Sequence, residues 1–235
     1  MQLFYHPNID ENTKNISFDK EESRHIARVL RKNLGDKLFI TDGRGGFYVS
    51  SITLADQKKC IAEIESYELQ AKPKYNLHLA VAPTKNIDRF EWFLEKATEI
   101  GVTTITPILC DNSERRIIKK ERLERIIQAA MKQSLNTYLP EIRNLTAIQE
   151  IYNSSNTVHK MIAHCEGTNK KILFNEIEKA QDYLILIGPE GDFSTKEIKE
   201  AISNQFTPVS LGSTRLRTET AAITACHTVA LKNLI

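Results

Sequence analysis

Two short loops near the end of the chain carry residue types suited to ligand binding and catalysis. The first is Gly188-Pro189-Glu190-Gly191, which follows an apolar run at 184–187; the second, at 212–221, follows a run at 206–211. Glycine lets a backbone approach a ligand closely or adopt positive φ, and proline stiffens a turn, so peptide groups of the first loop could bind an adenine edge. Two glycine-bearing loops at adjacent strand ends predict a single ligand site.

Charged side chains in the second loop could contribute to catalysis. Arg217 and Glu219 lie where this loop meets the next predicted helix. A fixed guanidinium can stabilise negative charge that develops on a substrate, while a carboxylate can orient the guanidinium or accept a proton. The simpler interpretations are a plain turn at the first loop and an Arg217–Glu219 ion pair at the second.

Signatures of several other enzyme classes are absent from the sequence. It contains neither the Gly-x-Gly-x-x-Gly of dinucleotide-binding folds nor the Gly-x-x-x-x-Gly-Lys-Ser/Thr phosphate loop. The hydrolase patterns Gly-x-Ser-x-Gly and His-Glu-x-x-His are also missing.

The residues around the two loops alternate between strand-like and helical patterns. Apolar runs predict strands at 77–81, 104–109, 161–163 and 184–187. Helical periodicity predicts helices at 86–100, 119–135, 147–152, 172–180 and 221–234, with Thr218 or Thr220 capping the last. Ser194 and Glu197 have the spacing of a capping box that begins a further helix. This alternation predicts an α/β domain with a mostly parallel sheet covered by helices on both faces.

The first part of the chain is rich in short strand patterns instead. Apolar runs at 3–5, 37–41, 47–52 and 60–64 predict strands, and an Asp42-Gly43 step between two of them predicts a hairpin. The polar, proline-containing stretch 68–74 is typical of a linker. We therefore predict a small β-barrel or sandwich at 1–72 and an α/β domain at 73–235.

Composition is that of an ordinary globular protein. Hydrophobic residues make up 41% and charged residues 26%, with a mean hydropathy of -0.35. The sequence has neither a signal-peptide pattern nor a run long enough to span a membrane, so we expect no membrane association. The four cysteines lie far apart, without zinc-ligand spacing, which favours the reducing cytoplasm and argues against a disulfide framework or a metal site.

Positive charge is clustered although the net charge is only +2. A helix predicted at 21–32 would turn Ile26, Val29 and Leu30 inward and a basic stripe outward. A second basic patch covers residues 115–132. Solvated helix faces explain part of this charge, but the surplus predicts nucleic-acid binding. The predicted RNA-binding residues are Arg24, Arg28, Arg31, Lys32, Arg115, Arg116 and Arg122.

These motifs together resemble the RsmE family of small-subunit ribosomal RNA uridine N3-methyltransferases, in the SPOUT superfamily. The two C-terminal loops carry the strongest likeness, at 188–191 and 216–221. Residues 24–31 resemble the family's N-terminal signature, and residues 96–102 followed by Pro107 resemble the start of its catalytic domain. Middle motifs are matched by Ser113-Glu114-Arg115, Gln133-Ser134 and Pro140.

The resemblance implies a PUA-like RNA-binding β-barrel at 1–72, a trefoil-knotted SPOUT methyltransferase domain at 73–235, and a homodimer. It implies S-adenosylmethionine as cofactor and 16S ribosomal RNA of the small subunit as partner. The residues implied to bind the cofactor are Leu186, Gly188, Pro189, Glu190, Gly191, Leu211, Gly212, Leu216 and Thr218. The chain departs from the family pattern at Asp192, where a second glycine is usual, at Thr214-Arg215 and at Asn136.

The reaction implied is methylation of uracil N3. From their place at the junction of loop and helix, we predict Arg217 and Glu219 as the catalytic residues. Because N3 carries a proton and is engaged in base pairing, the base must be unpaired or flipped toward the pocket. Two alternatives stay open from the sequence: a ribose 2′-hydroxyl as methyl acceptor, and a non-enzymatic RNA-binding protein.

Overall fold

The computed structural model describes residues 1–154, 159–167 and 170–235. These residues form two compact units. The first unit consists of Met1–Lys72 together with Met131–Leu139, and the second consists of Pro73–Ala130 together with Pro140–Ile235. No sequence signal had indicated that residues 131–139 belong with the first unit.

The first unit is built on a five-stranded sheet with the order β1-β3-β4-β5-β2. Its strands are β1 (Leu3–Tyr5), β2 (Asn15–Ser17), β3 (Lys37–Thr41), β4 (Gly46–Ala55) and β5 (Cys60–Leu69). The hairpin between β3 and β4 is confirmed: Asp42 Oδ1 accepts hydrogen bonds from the N–H groups of Arg44 and Gly46 at 2.7 and 3.0 Å. Alternate residues of the strands point into one apolar core that includes Phe4, Leu38 and Tyr48.

The helix of the first unit differs from the prediction. It begins at Asp19, whose side chain caps α1 (Lys20–Arg24), and continues as a π-helical segment, His25–Val29, in which the Leu30 N–H bonds to the His25 carbonyl. A π-turn holds an extra residue and so rotates the residues that follow it. Ile26 is buried as predicted, but the predicted inward position of Val29 is wrong, since its side chain is 66% exposed. The helix also ends early, because Arg31 adopts a φ of 54°.

The second unit contains the predicted parallel sheet, which has eight strands among the residues that the structure describes. They are β6 (Leu77–Val81), β7 (Thr104–Leu109), β8 (Glu141–Ile142), β9 (Thr146–Ala147), β10 (His159–Ala163), β11 (Lys171–Ile172), β12 (Tyr183–Ile187) and β13 (Thr207–Ser210). The order is β11-β13-β10-β12-β6-β7-β8, with β9 paired to β7, and every pairing is parallel. All five residues of β12 are buried, as expected for a central strand covered on both faces.

Helices join these strands at the predicted places. They are α2 (Ile87–Ile100), α3 (Lys120–Gln133), α4 (Ile148–Ser154), α5 (Leu173–Glu176), α6 (Thr195–Ser203) and α7 (Thr218–Leu234). The capping box of Ser194 and Glu197 is confirmed. Two boundaries are wrong: α5 is a single turn, and α7 begins at Thr218, three residues before the predicted start, with Arg217 at its N-cap. No helix in the described ranges is long and apolar enough to cross a membrane.

Strand order corrects one expectation about the two C-terminal loops. The strands that precede them, β12 and β13, are not adjacent, because β10 lies between and pairs with both. Ile162 of β10 is in register with Leu186 on one side and Pro208 on the other. Since the three strands are parallel, their carboxyl ends still meet at the same edge of the sheet.

A partly buried histidine in this sheet predicts a pH-dependent stability. His78 on β6 bonds through its ring to Thr106 Oγ1 at 2.7 Å, and burial, followed by the Arg143 charge, lowers its pKa to about 4. An unfolded chain takes up this proton near pH 6.5 and the folded chain only near 4, so folding stability falls as the pH drops through that window. We expect His78 to account for a loss of about 2 kcal/mol between pH 7 and pH 5.

Urea denaturation at both pH values checks this expectation with two variants. His78→Gln should lose that part of the pH dependence, while the exposed control His227→Gln should retain it. A His78→Gln protein with the same pH dependence as the wild type would contradict the assignment.

Candidate active site

A cavity of about 470 Å³ opens at the carboxyl ends of β10, β12 and β13. This volume is typical of small-molecule sites. Its walls come from three loops, one after each strand, and from the start of α7. The lining residues are Ala163, His164, Cys165, Ile187, Gly188, Pro189, Glu190, Asp192, Val209, Ser210, Leu211, Gly212, Ser213, Thr214, Arg215, Leu216, Arg217, Thr218 and Ala221.

Direct hydrogen bonds fasten the loops to one another. The buried Thr218 hydroxyl donates to the Gly188 carbonyl at 3.0 Å, which fixes the start of α7 against the β12 loop. Arg215 donates from Nη2 to the Glu190 carbonyl at 3.3 Å. Thr218 therefore holds the two walls together, and it does not cap α7 as the sequence had suggested.

Two glycines in these walls have identifiable reasons to be glycine. A Cβ on Gly188 would lie 3.1 Å from the Phe193 ring and 3.2 Å from the Phe193 backbone nitrogen, so a side chain would push the loop away from its helix. Gly212 has a φ of 154°, which disfavours other residues. A side chain at this position would meet open space, so the backbone conformation and not crowding is the reason for glycine. The first glycine permits close packing, and the second permits the turn out of β13.

Asp192 has a structural role at the position where the resembling family usually has glycine. Its φ is 62°, a left-handed conformation that glycine adopts freely and aspartate tolerates. Its Oδ1 accepts from the Phe193 N–H at 2.8 Å, and its Oδ2 accepts from the Cys165 N–H at 2.7 Å. The carboxylate therefore joins the β12 loop to the β10 loop.

Most of the predicted cofactor-binding residues line this one cavity. Those that do are Gly188, Pro189, Glu190, Leu211, Gly212, Leu216 and Thr218. Leu186 is buried inside β12, and Gly191 packs beside Asn112, so neither belongs to the lining. The β10 loop, with His164 and Cys165, was missed. The signal was available, because this loop follows the predicted strand at 161–163 and ends at the same sheet edge.

The two predicted catalytic residues occupy different environments. Arg217 is exposed and lines the cavity at the N-terminus of α7. Glu219 is only 7% exposed and is absent from the cavity lining. Its Oε1 lies 3.8 Å from Nε of Arg89, and its buried Oε2 has no hydrogen-bond partner within the described parts of the chain. The charge partner of Glu219 is thus Arg89 on α2.

Burial governs the titratable groups of the missed β10 loop. Burial, with the nearby Lys170 charge, lowers the pKa of His164, so the imidazole is neutral near pH 7. Burial, with the Asp192 carboxylate, raises the pKa of the Cys165 thiol. This cysteine is therefore a thiol at neutral pH and not an activated nucleophile.

The predicted RNA-binding arginines also differ in their surroundings. Arg24, Arg28 and Arg31 are exposed on the first unit, with Lys32 half-buried, and Arg116 is exposed on the second. Arg115 donates to the carbonyls of Thr84 and Lys85 at 3.0 and 2.6 Å, and Arg122 donates from Nη2 to Glu91 Oε2 at 2.8 Å within an ion pair. Part of the charge in the 115–132 patch is therefore already used in the fold.

Comparison with known proteins identifies the family. Residues 70–230 match the model of the RNA methyltransferase domain, and residues 18–65 match that of the RNA methyltransferase PUA domain. The chain belongs to the RNA methyltransferase family. It is 31% identical to a Buchnera aphidicola protein named ribosomal RNA small subunit methyltransferase E, over 92% of this chain and 90% of the relative.

Solved structures agree with this assignment. The chain is similar to a probable rRNA-methyltransferase from Porphyromonas gingivalis, with a TM-score of 0.91 and 42% identity over 100% of this chain and 99% of the other. It is also similar to a putative methyltransferase from Legionella pneumophila in complex with S-adenosylmethionine, with a TM-score of 0.88 and 28% identity over 98% and 97% of the two chains. The RsmE resemblance and the PUA-like N-terminal part of this RNA methyltransferase are confirmed, whereas the trefoil knot stays a prediction.

The left-handed backbone at Asp192 predicts that a glycine variant is more stable than an alanine variant at this position. Asp192→Gly removes two hydrogen bonds but suits the φ of 62°, whereas Asp192→Ala removes the same bonds and strains the backbone. We expect both variants to be less stable than the wild type, with the alanine variant about 1 kcal/mol below the glycine variant. Guanidinium denaturation measures the difference, and an alanine variant as stable as the glycine variant would disprove the conformational argument.

Proposed function

We propose that this RNA methyltransferase transfers the methyl group of S-adenosylmethionine to N3 of a uridine in 16S ribosomal RNA. The observation that carries the proposal is the three-loop cavity with Arg217 on its wall, in a chain with the fold of a methyltransferase that binds this cofactor. Relatives named ribosomal RNA small subunit methyltransferase E support the choice of RNA.

The cavity suits the cofactor in size and in the chemistry of its walls. Apolar side chains of Ile187, Leu211 and Leu216 offer a surface for the adenine ring. Gly188 and Pro189 line the cavity, so peptide groups of this loop can bind the ring edge. Bound there, S-adenosylmethionine would supply an electrophilic methyl group.

Arg217 is the residue that we assign to charge stabilisation. When N3 of uracil loses its proton, negative charge spreads onto the neighbouring carbonyl oxygens. A guanidinium stabilises such charge best when it is held in place before the reaction. Arg217 is at the N-cap of α7, directly before the residue whose hydroxyl is anchored to Gly188, so its backbone is fixed while its side chain stays exposed to a substrate.

Glu219 is assigned to positioning. Its carboxylate is turned toward Arg89, which links the first turn of α7 to α2 and thereby steadies the backbone next to Arg217. The alternative role of Glu219 is to accept the proton from uracil N3. Its Oε2 supports this alternative, because that oxygen has no hydrogen-bond partner among the described residues.

We also propose the arrangement that the family resemblance implies for the rest of the protein. Residues 1–72 form the RNA-holding domain and residues 73–235 the knotted catalytic domain. The protein acts as a homodimer in the cytoplasm on 16S ribosomal RNA within the small subunit. The exposed arginines Arg24, Arg28 and Arg31 hold RNA from the first domain.

Replacing Arg217 tests the catalytic assignment. We expect Arg217→Ala to lower turnover on small ribosomal subunits by about 100-fold or more, because the developing charge loses its fixed cation. Cofactor affinity, measured by calorimetry, should stay within about twofold, and Arg217→Lys should restore part of the rate. Wild-type turnover in Arg217→Ala, with unchanged cofactor binding, would show the assignment to be wrong.

Reversing the charge of Arg24, Arg28 and Arg31 to glutamate tests the RNA surface. Each lost phosphate contact should reduce the slope of log affinity against log salt by about 0.7, so the triple variant should bind RNA more weakly with a flatter slope. Lys58→Glu, an exposed change in the same unit, is the control. An unchanged slope in the triple variant would remove these arginines from the RNA site.

A further inference from the structure

His164 presents two buried nitrogen atoms that the fold does not use. It follows β10 and lines the cavity, and neither Nδ1 nor Nε2 has a hydrogen-bond partner among the described residues. Buried polar atoms are nearly always paired in folded proteins, so an unpaired pair of this kind requires an explanation. By contrast, the ring of His78, in the same sheet, is paired with Thr106.

The backbone on both sides of the imidazole is fixed. Nζ of Lys170 donates to the His164 carbonyl at 2.8 Å, and the next N–H, that of Cys165, donates to Asp192 Oδ2 at 2.7 Å. The ring is therefore held at the cavity wall by backbone bonds that do not use its own nitrogens. Such an arrangement is expected of a binding group that is preorganised for a ligand.

The surroundings of the ring select neutral ligand groups. The charges that act on His164 are those of Lys170, Asp192 and Glu166. The Glu166 backbone also interacts with the ring, without reaching hydrogen-bond geometry, and the imidazole is neutral near pH 7 as described above. A neutral imidazole has one donor and one acceptor nitrogen. Ribose hydroxyls, or the amino group and ring nitrogens of adenine, can satisfy both. The charged amino-acid end of the cofactor is better matched by Arg215 on the β13 side of the cavity.

We propose that His164 binds the nucleoside half of S-adenosylmethionine and is a determinant of cofactor affinity, an inference that rests on the proposed function. The two unpaired ring nitrogens form hydrogen bonds only when the nucleoside is present. Removing the ring should consequently weaken binding without weakening the unliganded fold.

The test compares three ligands and four full-length proteins by calorimetry. The ligands are adenosine, S-adenosylhomocysteine and S-adenosylmethionine; the proteins are the wild type, His164→Leu, His164→Gln and the exposed control His227→Leu. We expect His164→Leu to weaken all three ligands by a similar factor of about ten. His164→Gln, which retains a donor and an acceptor, should recover part of the loss, and the control should bind as the wild type does.

Stability measurements separate binding from a structural role. The thermal midpoint of unliganded His164→Leu should equal or exceed that of the wild type, because a buried polar group without partners has been replaced by an apolar one. Repeating the titration with 2′-deoxyadenosine and 3′-deoxyadenosine locates the contact: a hydroxyl is involved if the effect of His164→Leu vanishes with one of them, and the adenine edge if it persists with both.

Three outcomes would overturn the inference. They are unchanged affinity in His164→Leu, a loss confined to S-adenosylmethionine with adenosine unaffected, and a loss of affinity accompanied by a lower midpoint of the unliganded protein. A wild-type protein that binds adenosine but not S-adenosylmethionine would instead refute the proposed function, while the adenosine titrations would still decide the assignment of His164.

Discussion

Parallel pairing of β10 with both β12 and β13 is the constraint on which the site depends. It brings the carboxyl ends of three strands to one edge of the sheet, so that three loops distant in sequence share a cavity. Two side-chain-to-backbone bonds then set the distances between the loops: Thr218 holds the start of α7 against Gly188, and Asp192 holds the β10 loop. Without this strand order, the same loop sequences would not meet.

Buried polar groups around the site differ in what satisfies them. Glu197 is fully buried, and its carboxylate accepts from the N–H groups of Asp111 and Ser194 at 2.8 Å each, which secures the fold beneath the site. His164 lines the cavity, and Glu219 lies one residue after the lining residue Thr218, yet both retain buried atoms without partners among the described residues. Unpaired polar groups beside a cavity lower the stability of the unliganded fold, but they can form hydrogen bonds with a bound ligand.

Much of this arrangement could be predicted from the sequence, for reasons that can be named. The five longer strands and most helices of the second unit follow from apolar periodicity, whereas the two-residue strands β8, β9 and β11 were missed. The Ser194–Glu197 box marked the start of α6. The order of β10, β12 and β13 could not be predicted, because long-range pairing leaves no local signal. The π-turn that exposes Val29 was equally hidden, since residues 21–32 fit an α-helical period. The partners of Arg115 and Arg122 were hidden as well, because charge alone does not distinguish an arginine used in the fold from one left for RNA.

The central claim is that the three-loop cavity, with Arg217 beside it, methylates uracil N3 in 16S ribosomal RNA. Nucleoside mass spectrometry of 16S ribosomal RNA from cells with and without the gene tests it most directly. The expected result is loss of N3-methyluridine in the deletion strain, restored by the wild-type gene but not by one encoding Arg217→Ala. An unchanged N3-methyluridine content, or loss of a 2′-O-methylated nucleoside instead, would contradict the account.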